Sequence, residues 1–109
     1  MPLDLPAPVA AYVSAENEGD VEALGQCFSK NAVVHDEGRT IRGLAAIKQW
    51  KMETNRKYHQ TVEPLACVQK DGKTVVATRV AGTFPGSPLD LQFIFGLEGN
   101  RIASLEIRP

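Results

Sequence analysis

The chain has 109 residues, 43% of them hydrophobic, with 12 basic and 13 acidic side chains and a net charge of −1. That length and apolar content suit one domain, 1–109, with a real core, and exclude a disordered chain. So even a charge balance leaves no electrostatic footprint for nucleic acid or for an anionic membrane surface, and no apolar run is long enough to span a bilayer.

The first half reads as helices. A first helix is expected to start after Asp4, with Pro6 and Pro8 in its opening turn, where their missing N–H groups would be unpaired anyway. Leu5, Val9, Tyr12, Val13 and Glu16 recur at helical spacing, and Asn17, Glu18 and Gly19 end the run. Asp20 can cap a second short helix whose inner stripe is Val21, Leu24 and Phe28. The apolar run from Ala32 to His35, the turn "DEGRT" and the return over Thr40 to Arg42 predict a small hairpin with Gly38 in its turn. Gly43 opens a third helix, with Leu44, Ile47, Trp50, Lys51 and Thr54 on one side. Lys48, Lys51, Arg56 and Lys57, interrupted by Glu53, read as a solvated helix face.

The second half reads as strands of period two. Thr61 to Gln69 is the first, with Pro64 at a bulge or an edge. "KDGK" is a hairpin turn, because Asp-Gly supplies positive φ angles. Lys73 to Phe84 is a long strand, "PGSP" a connection, and Pro88 to Leu97 a strand with Leu89, Leu91, Phe93, Phe95 and Leu97 on one face. "EGN" turns into a last strand, Arg101 to Ile107. The segregation of helices from strands predicts an α+β fold, three N-terminal helices packed on a strongly curved antiparallel sheet.

Cys27 and Cys67 show neither C-x-x-C nor zinc spacing, so free thiols are expected, which points to a reducing cytoplasm. The opening "MPLDLPAPVAAY" has no basic segment followed by a long apolar run, so no secretory signal is expected. No H-x-x-x-H or H-x-H pair suggests a metal, and no glycine loop or dinucleotide fingerprint suggests a cofactor. Ser14, Cys27 and Ser29 lack a recognisable base partner for nucleophilic catalysis.

"AYVSAENEGDVEALGQCF", "NAVVHDEG", "RGLAAIKQW" and the closing "FIFGLEGNRIASLEI", in that order, cover essentially the whole chain. Together they resemble the nuclear-transport-factor-two-like superfamily, a cystatin-like cone that includes SnoaL-like polyketide cyclases and ketosteroid isomerases. The resemblance implies a cone enclosing an apolar pocket for a small hydrophobic molecule. It also implies a homodimer through the outer sheet face, for which Thr78, Val80, Gln92 and Ile94 are candidates. In the isomerase branch a Tyr of the first helix donates to the substrate oxygen and an Asp ending the first strand moves the proton. Tyr12 and Asp36 match those positions; the place of a third, acidic family residue holds Leu91, with Asp90 facing the other way.

With Asp36 on the pocket floor, burial among Val34, Trp50 and Phe93 would favour its neutral form and make it a stronger base. It could then take a proton from a carbon beside a carbonyl while Tyr12 stabilises the developing oxygen. The plainer alternative makes Tyr12 a core residue and Asp36 a turn residue. His35 points opposite to Asp36 in a regular strand, and only a bulge would bring it to the pocket as a base or proton shuttle. Phe28, Val34, Trp50, Phe84, Leu91 and Phe93 either line a ligand cavity or fill the core. Two functions stay open: a cofactor-free isomerase, cyclase or lyase, or a non-catalytic ligand-binding or dimerisation domain.

Overall fold

A computed structural model describes residues 4–36 and 38–109; Glu37, in the expected "DEGRT" turn, lies outside the described residues. Helix α1 spans Ala7–Glu18. It begins later than the sequence suggests, because Pro6 is extended, at ψ 147°, and stands as the N-cap, leaving Pro8 in the opening turn. Gly19, at φ 68°, closes it by donating to the Ala15 and Glu16 carbonyls. Helix α2 spans Val21–Gln26, with the Asp20 side chain accepting from the Ala23 N–H at 3.1 Å. Phe28, expected on its inner stripe, instead starts strand β1, Phe28–Asp36. The sheet claims this backbone: the Cys27 carbonyl accepts from the Ile102 N–H at 2.7 Å.

Strand β2, Arg39–Arg42, pairs antiparallel with β1. Helix α3, Leu44–Tyr58, follows and buries Ile47, Trp50 and Lys51. Lys51 is thus not on the solvated face where its charge alone would place it. Strand β3, Thr61–Lys70, shifts register between Pro64 and Ala66, as a proline in a strand requires. Asp71 and Gly72, at φ 53° and 77°, turn the chain into β4, Lys73–Ala81. That strand stops short of Phe84 because the chain is drawn onto the end of α3: the Thr83 N–H donates to the Tyr58 carbonyl at 2.8 Å. Strands β5, Leu89–Glu98, and β6, Arg101–Arg108, complete the sheet.

The strand order is β2-β1-β6-β5-β4-β3. Every neighbouring pair is antiparallel except β1 and β6, which run parallel. The sheet is therefore mixed and not wholly antiparallel as the sequence suggested, because β6 reaches β1 only after a long excursion through α3 and the meander. It is curved and open, and the helices cover its inner face. Val9, Tyr12, Leu24 and Ile47 from the helices meet Phe28, Val34, Phe95, Ile102 and Leu105 from the sheet in one core.

Directly opposed residues share a face, and Val76 opposes Phe93, Thr78 opposes Leu91 and Val80 opposes Leu89. Thr78 and Val80 are accordingly buried on the inner face, not on the outer face assigned to them above. Val75 and Ala77 stand on the outer face opposite Ile94 and Gln92.

The outer edge of β3 is tied to α1 through Asn17. Its amide donates to the Val62 carbonyl at 2.9 Å and its side-chain oxygen accepts from the Val62 N–H at 2.7 Å. Both backbone groups would otherwise be edge groups seeking a partner. Asn17→Ala is expected to lower stability by about 1–3 kcal/mol, read as a lower urea midpoint with an unchanged slope.

Candidate functional site

The curved sheet and the helices do not fill the volume between them. A cavity of about 460 Å³ remains, within the range of small-molecule sites. Its apolar wall is Val80, Leu89, Leu91, Phe93 and Ile107 from the sheet, with Phe84 and Pro85 from the β4–β5 connection. The opposite wall comes from α3: Trp50, Lys51, Thr54, Lys57 and Tyr58. Tyr58 holds Phe84 in an edge-to-face contact, ring centroids 5.7 Å apart. Arg39, Glu53 and Lys57, all exposed, mark the mouth. Among the residues expected to bind ligand, Trp50, Phe84, Leu91 and Phe93 line the cavity. Phe28 and Val34, both fully buried, belong to the core behind it.

Asp36, the last residue of β1, lines the cavity. Its Oδ2 accepts from the Trp50 indole N–H at 3.1 Å. Asp36 also borders a shallow surface depression with His35, Gly38, Arg39 and Thr40. It therefore stands where the cavity meets the surface, half-buried, and not on the floor. The ladder beside it is regular, Val33 to Asp36 pairing without a shift to Arg42 to Arg39. With no bulge, His35 takes the other side: it is exposed, outside the cavity lining, and its Nδ1 lies 3.3 Å from Thr40 Oγ1.

The acid at the deep end is Glu16. Its Oε1 accepts from Lys51 Nζ at 2.7 Å, with the side chains 1% and 2% exposed, and both residues line the cavity. Lys51 Nζ also lies 4.2 Å from the centre of the Trp50 ring, a cation–π contact. The pair is the feature of the cavity lining that sequence reasoning missed. The signal was present: Glu16 continues the apolar stripe of Val9 and Tyr12, and Lys51 that of Ile47 and Trp50. A charge of each sign on two buried stripes calls for a buried pair.

Tyr12 is fully buried, its ring edge-on to Phe28, Phe93 and Phe95 at 6.0, 6.2 and 5.5 Å. It is not among the residues lining the cavity. Burial holds its proton on well above the usual tyrosine range, and the charges of Glu16 and Asp36 add to that. The phenol faces the Glu16 carboxylate, which favours the protonated phenol through a side-chain hydrogen bond as well as through its charge.

Residues 9–105 match the SnoaL-like domain. A Sinorhizobium meliloti protein with a provisional polyketide cyclase assignment is 38% identical, with a TM-score of 0.92 and 96% of each chain covered. An epoxide hydrolase/cyclase-like enzyme with a role in pyran ring formation in the polyether salinomycin is 28% identical, TM-score 0.80, covering 93% of this chain and 86% of its own. A Catenulispora acidiphila protein with a ketosteroid isomerase-like fold is 20% identical, TM-score 0.85, covering 97% and 87%; it shows the fold alone. No curated protein matches the chain.

Two outcomes follow from this geometry. Lys51→Met strands the Glu16 charge and is expected to cost about 3–5 kcal/mol in a denaturant titration, whereas the double change Glu16→Leu with Lys51→Met should be close to neutral. Tyr12→Phe removes the buried hydroxyl that faces Glu16 and is expected to cost about 1 kcal/mol at pH 7. In the parent the folded phenol keeps its proton above the ordinary value of 10.0, while the unfolded chain releases its own. That contribution is complete below pH 10 and is lost as pH rises beyond it. A melting-temperature series should show that alkaline decline reduced in Tyr12→Phe.

Proposed function

The chain belongs to the family of SnoaL-like domains, and from that premise we propose that it is an acid–base enzyme of the cyclase or isomerase type, acting on a small, largely apolar organic substrate. The observation that carries the reading is the Asp36 carboxylate beside a cavity with an apolar wall, one oxygen fixed by the Trp50 indole. A carboxylate in that position can remove a proton from a carbon beside a carbonyl and return it at another atom. Such general-base catalysis contributes about 10²–10⁴-fold. Trp50 acts as a positioning residue: its N–H fixes the plane of the carboxylate and keeps Oδ2 from turning away. The apolar wall of Leu91 and Phe93 seats the carbon skeleton and excludes water, which strengthens charge interactions at the reacting carbon. The reading rests on Asp36 and needs no contact between Tyr12 and the substrate, since the phenol lies behind the lining.

The likeness to the salinomycin enzyme supports the same class of chemistry, because ring closure also needs a group that takes a proton from the attacking hydroxyl.

Proton transfer can be tested before the natural substrate is identified. 2-Tetralone carries acidic hydrogens beside its carbonyl, and their replacement in D₂O is followed by proton NMR. The protein is expected to accelerate the exchange over buffer, and Asp36→Asn to slow it by about 10² or more. Trp50→Phe should give an intermediate rate. Exchange by Asp36→Asn as fast as by the parent, or no acceleration by the parent, would leave the binding-domain reading in its place.

A further inference from the structure

The Glu16–Lys51 pair offers a ligand almost no surface, yet it touches the residue that holds the base. Buried ion pairs gain little over apolar packing of similar volume, so stability alone does not account for it. Trp50 and Lys51 are consecutive on α3, and consecutive side chains of a helix do not face each other. Lys51 Nζ nevertheless lies 4.2 Å from the centre of the Trp50 ring. It is held there from another helix. Glu16 Oε1, on α1, accepts from it at 2.7 Å, and the Tyr12 phenol faces the same carboxylate. At the other end of this line of contacts the Trp50 indole N–H donates to Asp36 Oδ2 at 3.1 Å. The contacts thus run unbroken from the closed interior to the half-buried carboxylate at the surface depression.

We propose that Lys51 and Glu16 are positioning residues for Asp36, acting through the Trp50 ring. An ammonium over the face of an indole is attracted by the electrons of the ring. It fixes the plane of the ring, and the direction of the N–H with it. It also draws electron density from the ring and leaves the N–H a stronger donor, since polar contacts in a site closed to water polarise one another. Asp36 is then held in one orientation toward the cavity, although it also borders the surface. Glu16 keeps the ammonium over the ring, because a lysine stem is otherwise flexible. The inference rests on the reading of Asp36 as the base, and it accounts for a charge pair where apolar packing would serve the fold as well.

The test compares the variant Glu16→Leu, Lys51→Met with the parent in two measurements. The chain has one tryptophan, so Trp50 gives a single indole N–H signal in the ¹⁵N-labelled protein. Its hydrogen is expected to exchange with water about tenfold faster in the variant, the size of one weakened hydrogen bond. In the D₂O exchange of 2-tetralone, kcat is expected to fall about tenfold with KM unchanged, as for a small misplacement of the reacting group. Added to Trp50→Phe, the same two changes should slow the reaction no further, because the ring through which they act no longer carries the N–H. Glu16→Gln with Lys51→Gln removes the cation while leaving polar side chains that can still bond across the two helices; it is expected to give the same changes, and it decides the matter if the first variant does not fold. An unchanged indole exchange, an unchanged kcat, a loss carried by KM alone, or an equal further loss in the Trp50→Phe background would each overturn the positioning role. No acceleration by the parent would instead remove Asp36 as the base, and the indole exchange would then decide alone whether the pair acts on Trp50.

Discussion

The ion pair between Glu16 and Lys51 is the contact on which the shape of the interior depends. It joins α1 to α3 at the deep end of the cavity, with the nitrogen and oxygen 2.7 Å apart. The two helices make little backbone approach to one another. Two long charged side chains span the distance instead of two apolar faces closing it. Had the positions carried leucine and methionine, nothing would hold an acceptor or a donor at that depth. With charges there, the interior holds together only while the two stay paired.

The rest of the architecture keeps that volume from collapsing. Tyr12 fills the space behind it, wedged edge-on among Phe28, Phe93 and Phe95. The Asn17 bridge to Val62 fixes α1 against the edge of the sheet, and the Thr83 bond to Tyr58 fixes α3 to the β4–β5 connection. Both helices are thus tied to β3–β4 at that edge of the sheet. The open side is left to exposed residues of the mouth. Wall and mouth therefore differ in stability, the wall being sheet and core, the mouth being a connection and a helix end.

Much of this was legible in the sequence wherever the signal is local. Period-two alternation from Leu89 to Phe95 marked the inner face of β5, Asp71-Gly72 the hairpin between β3 and β4, and Pro64 the irregularity in β3. The helical stripes of α1 and α3 were visible down to Glu16 and Lys51. What escaped was set by distant partners. Val21, Leu24 and Phe28 have helical spacing, but a ladder to Ile102, far along the chain, draws Phe28 into the sheet. The parallel β1–β6 pair has no signature in either strand alone. Thr78 and Val80 look alike from either face until the register with Leu91 and Leu89 is known. Of the site, Asp36, Trp50, Leu91 and Phe93 could be found from pattern and resemblance. The Glu16–Lys51 pair needed one further step, asking what a charge is doing on a buried stripe.

The two carboxylates of the lining stand in different surroundings. Glu16 is closed off with Lys51, both side chains almost without exposed surface, so the pair acts on the shape of the cavity and not on what enters it. Asp36 is half-buried where the cavity meets the surface, one oxygen held by the Trp50 indole. An apolar wall distinguishes molecules by a methylene at a time, about 1–3 kcal/mol each, and cannot strongly reject one that merely adds a hydroxyl. Any selectivity of this cavity therefore follows first from the shape that Phe84, Leu91 and Phe93 give its wall.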